Sequence, residues 1–171
     1  MKKFVLSSLL AMGLAASAQA VIVGASAGYL VDSEEAYLTV RVGTEFNVSE
    51  KFAHAAELEI GYTESSDAGI SVDLLPVMLN YRATPVMTGN WGPTFGFGAG
   101  MARTKANSWF GGADDWSFAV QAFAGINYKA TETVSLNVGA RYIWIDAVTL
   151  FGSSIDVGDD LAVEVGLSLK F

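Results

Sequence analysis

The chain has 171 residues, 51% of them hydrophobic and 16% charged, with a formal net charge of −8 and no cysteine. Such acidity argues against a nucleic-acid partner, which demands clustered Lys and Arg, and the lack of cysteine excludes disulfides and a lipid-modified cysteine anchor. A hydrophobic share this high suits a helical membrane protein, yet after Ala20 no apolar run approaches the roughly 20 residues of a membrane helix.

Lys2 and Lys3 precede an apolar run from Phe4 to Ala16, and Ala18-Gln19-Ala20 has the small-x-small form of a signal-peptidase site. The expected division is a signal peptide over 1–20, cut between Ala20 and Val21, and a single exported domain over 21–171.

Short alternating segments follow, at 21–31, 36–47, 52–62, 70–82, 91–103, 116–128, 134–145 and 161–171, each with the two-residue period of a strand. In the second, Leu38, Val40, Val42 and Phe46 oppose Tyr37, Arg41 and Glu45. The third sets Leu58, Ile60 and Tyr62 against Glu57 and Glu59. The fourth keeps its pattern only if a β-bulge near Leu74-Leu75 resets the register, after which Val77, Leu79 and Tyr81 oppose Asn80 and Arg82. In the fifth, Gly92, Gly96, Gly98 and Gly100 share one parity. No helix opens on this run, so it reads as room for bulky neighbours such as Phe123 or an arginine rather than as a phosphate loop. The sixth opposes Trp116, Phe118, Val120, Ile126 and Tyr128 to Ser117 and Gln121, and the seventh opposes Leu136, Val138, Tyr142 and Trp144 to Asn137 and Arg141. The last sets Val165, Leu167, Leu169 and Phe171 against Glu164, Gly166, Ser168 and Lys170.

The placement of aromatics decides which face is inside. With strands running alternately up and down, Phe46, Phe52, Tyr81, Trp91, Tyr128 and Phe171 fall at one end. Tyr29, Tyr62, Trp116, Phe118, Tyr142 and Trp144 fall at the other. Two aromatic belts with aliphatic residues between them match two membrane interfaces, whereas a soluble barrel has no reason to sort aromatics by height. The expected fold is therefore all-β: an eight-stranded antiparallel up-and-down transmembrane β-barrel, apolar face to lipid. The longer connections, 63–69, 104–115 and 146–160, belong to the outer end, and the shorter ones, 47–51, 83–90 and 129–133, to the periplasmic end.

Arg41, Glu45, Glu57, Glu59, Arg82, Arg141, Glu164 and Lys170 then point inward. An eight-stranded barrel is only wide enough for its own side chains, so these charges are expected to form a polar network that fills the lumen.

With signal, strands and aromatic end in place, the chain resembles the small outer-membrane β-barrel family, which includes the OmpA transmembrane domain and opacity-type surface proteins. Leu75-Pro-Val-Met-Leu-Asn-Tyr-Arg82, Phe95-Gly-Phe-Gly-Ala-Gly100 and Gly139-Ala-Arg-Tyr142 look like that family's strands. The ending, with polar Glu164, Gly166 two residues on, then Leu169 and terminal Phe171, fits the pattern by which such barrels are recognised for assembly. The resemblance implies a Gram-negative outer-membrane location, contact with outer-membrane lipids and lipopolysaccharide, handling by the barrel-assembly machinery, and a structural or surface-interaction role. It also leaves two alternatives: a lipid A-modifying outer-membrane enzyme and a narrow channel.

An enzyme of that kind would have to use His54, the sole histidine, which parity turns toward lipid near the periplasmic belt with no acid placed to orient it. No catalytic residue, cofactor or metal site is therefore expected. The acids Asp32, Glu34, Glu35, Glu64, Asp67, Asp114, Asp115, Asp146, Asp156, Asp159 and Asp160 all map to the outer end without EF-hand spacing, and read as a solvated surface rather than a Ca²⁺ or Mg²⁺ site. Trp109-Phe110 is a candidate tip for meeting an extracellular partner.

Overall fold

The computed structural model describes residues 20–48, 51–67, 70–86, 89–108, 111–150, 153–155 and 157–171. Its strands are β1 (Ala20–Leu30), β2 (Glu35–Val48), β3 (Phe52–Asp67), β4 (Ile70–Pro85), β5 (Trp91–Ser108), β6 (Gly111–Lys129), β7 (Val134–Ile145), β8 (Val148–Leu150), β9 (Ser153–Ile155) and β10 (Gly158–Lys170). β1 to β7 and β10 form one closed antiparallel barrel, and β8 and β9 form a separate small hairpin.

Closure follows from the two ends of the chain. β1 pairs with β2 on one side and with β10 on the other, Ile22 opposite Lys170 and Leu30 opposite Ala162. The ring is finished by a reciprocal pair, Val21 N donating to Phe171 O at 3.0 Å and Phe171 N donating to Val21 O at 2.9 Å. Closure leaves no free strand edge, the condition for a sheet in hydrocarbon, where water cannot satisfy backbone amides.

Burial follows the expected parity. β10 alternates between exposed and buried or half-buried positions from Leu161 to Leu167, and β7 does so from Leu136 to Ile145. Val40, Leu79, Val138 and Val165 are each more than half exposed, as a lipid-facing aliphatic band requires. Tyr29, Tyr62, Trp116, Phe118, Tyr142 and Trp144 stand exposed around the outer end. At the other end Trp91 packs on Tyr128 with ring centroids 4.4 Å apart.

The structure corrects three expectations. There is no bulge near Leu74-Leu75: β4 keeps one register with β3 from Phe52 opposite Pro85 to Asp67 opposite Ile70. The parity looks inverted because Val72 and Leu74 turn into the outer mouth, where they pack on apolar neighbours, while Asp73 turns out above the membrane and accepts from Tyr62. The irregularity lies instead in β2, between Glu45 and Asn47 opposite β3. Next, the expected loops 63–69 and 104–115 are largely strand, since the β3–β4 pairing reaches Asp67 and Ile70 and the β5–β6 pairing reaches Ser108 and Gly111. Above the lipid the outward face becomes polar as well, so the apolar–polar alternation fades while the backbone ladder continues. Finally, 146–160 carries the β8–β9 hairpin. Residues 1–19, Trp109-Phe110 and Asp156 lie outside the described residues.

Candidate functional site

The lumen is built in layers, because inward positions on neighbouring strands meet at equal height. Lowest, at the periplasmic opening, Lys170 on β10 donates to Glu45 on β2 at 2.6 Å. Above it, the Glu57 carboxylate on β3 accepts from Arg82 Nε and Nη2 at 3.0 and 2.9 Å, and Arg41 Nε stands 3.9 Å away. Arg41 Nη2 donates to Ser168 Oγ at 2.8 Å, and the Arg82 guanidinium lies 4.8 Å from the Phe123 ring centroid.

The middle layer is the driest. Arg141 on β7, fully buried, donates through Nη1 to Glu59 on β3 and to Gln121 Oε1 at 2.8 Å, and through Nη2 to Glu164 on β10 at 3.1 and 3.2 Å. Gln121 Nε2 donates to Glu59 Oε1 at 3.0 Å and to Asn80 Oδ1 at 2.7 Å, while Ser26 Oγ donates to Glu164 at 3.0 Å. Charged side chains thus span the barrel at this level, each bonded to partners on other strands. All eight charged residues read inward from the sequence line the lumen or its periplasmic opening. There the cations Arg41, Arg82, Arg141 and Lys170 pair with Glu45, Glu57, Glu59 and Glu164, so their formal charges cancel. Removing one member of the fully buried Arg141–Glu59 pair costs about 3–5 kcal/mol, because the partner is left uncompensated.

Clearance for this network comes from glycines. A Cβ at Gly24 would lie 2.8 Å from Arg41 Nε, and one at Gly98 would overlap the Asn80 amide oxygen. A Cβ at Gly96 would overlap the Phe123 ring, so Gly96 is the notch into which Phe123 fits.

Parity alone missed the change of character toward the outer mouth. Above Arg141, Leu30, Tyr37, Met78, Ala102, Ala119, Ile143, Ile145 and Ala162 form an apolar cluster, with Ala106 and Val148 above them. The middle layer separates two cavities. One of about 410 Å³ lies on the periplasmic side among Glu45, Arg82, Thr94 and Lys170; the other, about 160 Å³, lies at the outer mouth among Leu30, Tyr37, Leu74 and Ile143. The signal that finds the upper cluster is the set of apolar residues on lumen parity near the outer ends: Leu74, Met78, Ile143 and Ile145.

His54 faces outward on β3, stacked between Phe52 and Tyr81 with centroids 6.0 and 5.9 Å away, and its Nδ1 is 2.6 Å from the Tyr81 hydroxyl. The rim acids are engaged locally. Asp160 accepts from the amides of Asp32 and Ser33 at 3.0 and 2.9 Å and from the Ser33 hydroxyl, fastening the β1–β2 turn to β10. Burial alone would raise the Asp160 carboxyl, but the Ser33 hydroxyl and the amides of Asp32, Ser33 and Leu161 hold it below the ordinary carboxylate range. Asp114 pairs with Arg103 at 2.7 Å, Asp159 accepts from Tyr142 at 2.7 Å, and Asp115 accepts from Thr149 N at 2.8 Å. Among the described residues, no group of three or more His, Asp or Glu side chains is placed to hold a metal ion.

Comparison with known proteins sets this architecture in context. The sequence model of the outer membrane protein beta-barrel domain matches residues 4–171. A comparison with curated protein sequences finds no match. The structure is similar to Neisserial surface protein A, with 16% identity and a TM-score of 0.67, covering 89% of this chain and 96% of that one. It is also similar to Ail, the attachment invasion locus protein of Yersinia pestis, solved in complex with the heparin analogue sucrose octasulfate, with 12% identity, a TM-score of 0.58 and coverage of 89% and 97%. A third, the outer membrane enzyme PagL, shares 13% identity with a TM-score of 0.54 over 86% of this chain and 97% of that one. At such identities these likenesses speak to the fold alone, which carries both surface proteins and an enzyme. The match of the family's model across nearly the whole sequence identifies the chain: it belongs to the outer membrane protein β-barrel family and resides in the outer membrane.

Proposed function

We propose that this protein is a non-enzymatic outer-membrane barrel with a structural or surface-interaction role, plugged by its own ion pairs and presenting an acidic rim to the exterior. The middle layer carries this reading. Arg141 is bonded to Glu59, Gln121 and Glu164 on three other strands, so the charges that would line an ion path are bonded to one another. The state of His54 supports the non-enzymatic side: it is held in an aromatic stack on the lipid face with its Nδ1 engaged by Tyr81, the position of an interfacial anchor. The acidic rim suits a neutral or cationic partner and disfavours a polyanion.

Two further roles belong to the same reading. Residues 1–20 act as an export signal cut between Ala20 and Val21, so that sequencing of the mature chain begins at Val21. Glu164, Gly166, Leu169 and Phe171 serve as the signal read by the barrel-assembly machinery; loss of Phe171 lowers the amount of folded barrel in the outer membrane. The functional test is a deletion strain scored for uptake of a hydrophobic dye and for lipid A composition by mass spectrometry. The expected result is a leakier membrane restored equally by the wild type and by His54→Ala, with lipid A unchanged. A lipid A modification that disappears in His54→Ala would establish the enzyme instead.

A further inference from the structure

The cavity at the outer mouth combines features that the plug does not require. Its walls are apolar, formed by Leu30, Leu74, Ile143 and Ile145. Set into them are Tyr37, Thr63 and Thr104, each more than nine-tenths buried. The hydroxyls of all three have no hydrogen-bond partner among the described residues. Thr63 on β3 and Thr104 on β5 both pair with Leu74 on β4 and so share one height in the wall. Tyr37 of β2 stands below them, its hydroxyl lying over Gly61 and next to Pro76. A buried hydroxyl without a partner is costly, and three on one apolar pocket are a set of donors and acceptors waiting for a polar group. Apolar walls with a few convergent polar groups are the usual constitution of a small-molecule site.

We propose that this mouth is a binding site for a small uncharged amphiphile, an aromatic or short alkyl molecule carrying one hydroxyl or amide. Volume sets the scale: about 160 Å³ is close to the roughly 150 Å³ of a dry cavity that admits benzene. Charge sets a limit. Glu35, Asp159 and Asp160 stand on the same cavity's rim and repel an anion of equal size. The hydroxyl or amide of the ligand meets the threonine wall of Thr63 and Thr104, while its apolar part lies on Leu74 and Ile143.

The test uses the intact barrel in lipid nanodiscs, with methyl NMR during titration by phenol, toluene or benzoate. The methyls of Leu74 and Ile143 report the cavity, and those of lipid-facing Leu79 and Leu136 report partition into lipid. Phenol should shift the cavity methyls saturably, and benzoate should bind at least tenfold more weakly. Thr63→Val/Thr104→Val, which keeps the shape, should weaken phenol by at least fivefold, the worth of one hydrogen bond of about 1 kcal/mol, and leave toluene unchanged. Ile143→Trp, which fills the cavity, should abolish the saturable shift at Leu74, with heat-modifiable gel migration confirming that each variant is folded. Cavity methyls that move in parallel with Leu79 and Leu136, saturable phenol binding that survives Ile143→Trp, or phenol affinity indifferent to the double valine variant would each overturn the proposal.

Discussion

Arg141 and Glu59, 82 residues apart in sequence, join β7 to β3 across the lumen, and neither side chain is exposed to solvent. Arg141→Met leaves Glu59 and Glu164 buried without their cation. The expected loss is about 3–5 kcal/mol of unfolding free energy, read from urea titrations in lipid vesicles. Replacing Arg141, Glu59 and Glu164 together by apolar residues of similar size should cost far less than the single change, because no charge is then stranded.

Gly98 and Asn80 form a coupled pair. An alanine at Gly98 must displace the Asn80 amide, which accepts from Gln121, so Gly98→Ala should destabilise by about 1–3 kcal/mol. In an Asn80→Ala background the same substitution should cost much less. Additive losses in the double-mutant cycle would show that Gly98 is needed for another reason.

Asp160 gives the outer rim a pH dependence of defined sign. Its carboxyl titrates below its ordinary range in the folded barrel, so its contribution is complete above the unfolded value of about 3.9 and is lost as pH falls through the lower folded value. Wild-type stability should fall more steeply below about pH 4 than that of Asp160→Asn. Hydrogen exchange at the Asp32 and Ser33 amides, which donate to this carboxylate, should quicken in Asp160→Asn at neutral pH.

His54→Ala removes one ring from the stack of Phe52 and Tyr81 at the periplasmic interface. The expected cost is about 0.5–1.5 kcal/mol in the same urea titration, the worth of an aromatic contact, with unaltered insertion into the membrane.

The barrel itself was legible because lipid imposes a strict two-residue period: where Leu38 to Val42, Leu136 to Trp144 or Val165 to Phe171 cross the membrane, parity assigns the face. Inward charges such as Arg41 and Arg141 stood out for the same reason. Parity gave no partners, however. Which carboxylate Arg141 meets depends on the height at which β3, β7 and β10 cross, and register is a property of the closed ring. Beyond the lipid the period carries less information, so the upper strands at Ser66 and Lys105 read as loop, and the inward turn of Val72 and Leu74 read as a bulge. The mouth cavity was hidden because Tyr37, Thr63 and Thr104 lie on three strands, and their heights follow from the strand register rather than from the parity of any one strand.

The proposed seal is made by side chains packed across the lumen, the ion pairs among them, and single-molecule recording in planar lipid bilayers reads it. No large, steady conductance is expected from the wild type at neutral pH, and none from Arg141→Met, whose lumen remains filled by side chains. A large, steady conductance from the folded wild-type barrel would contradict it.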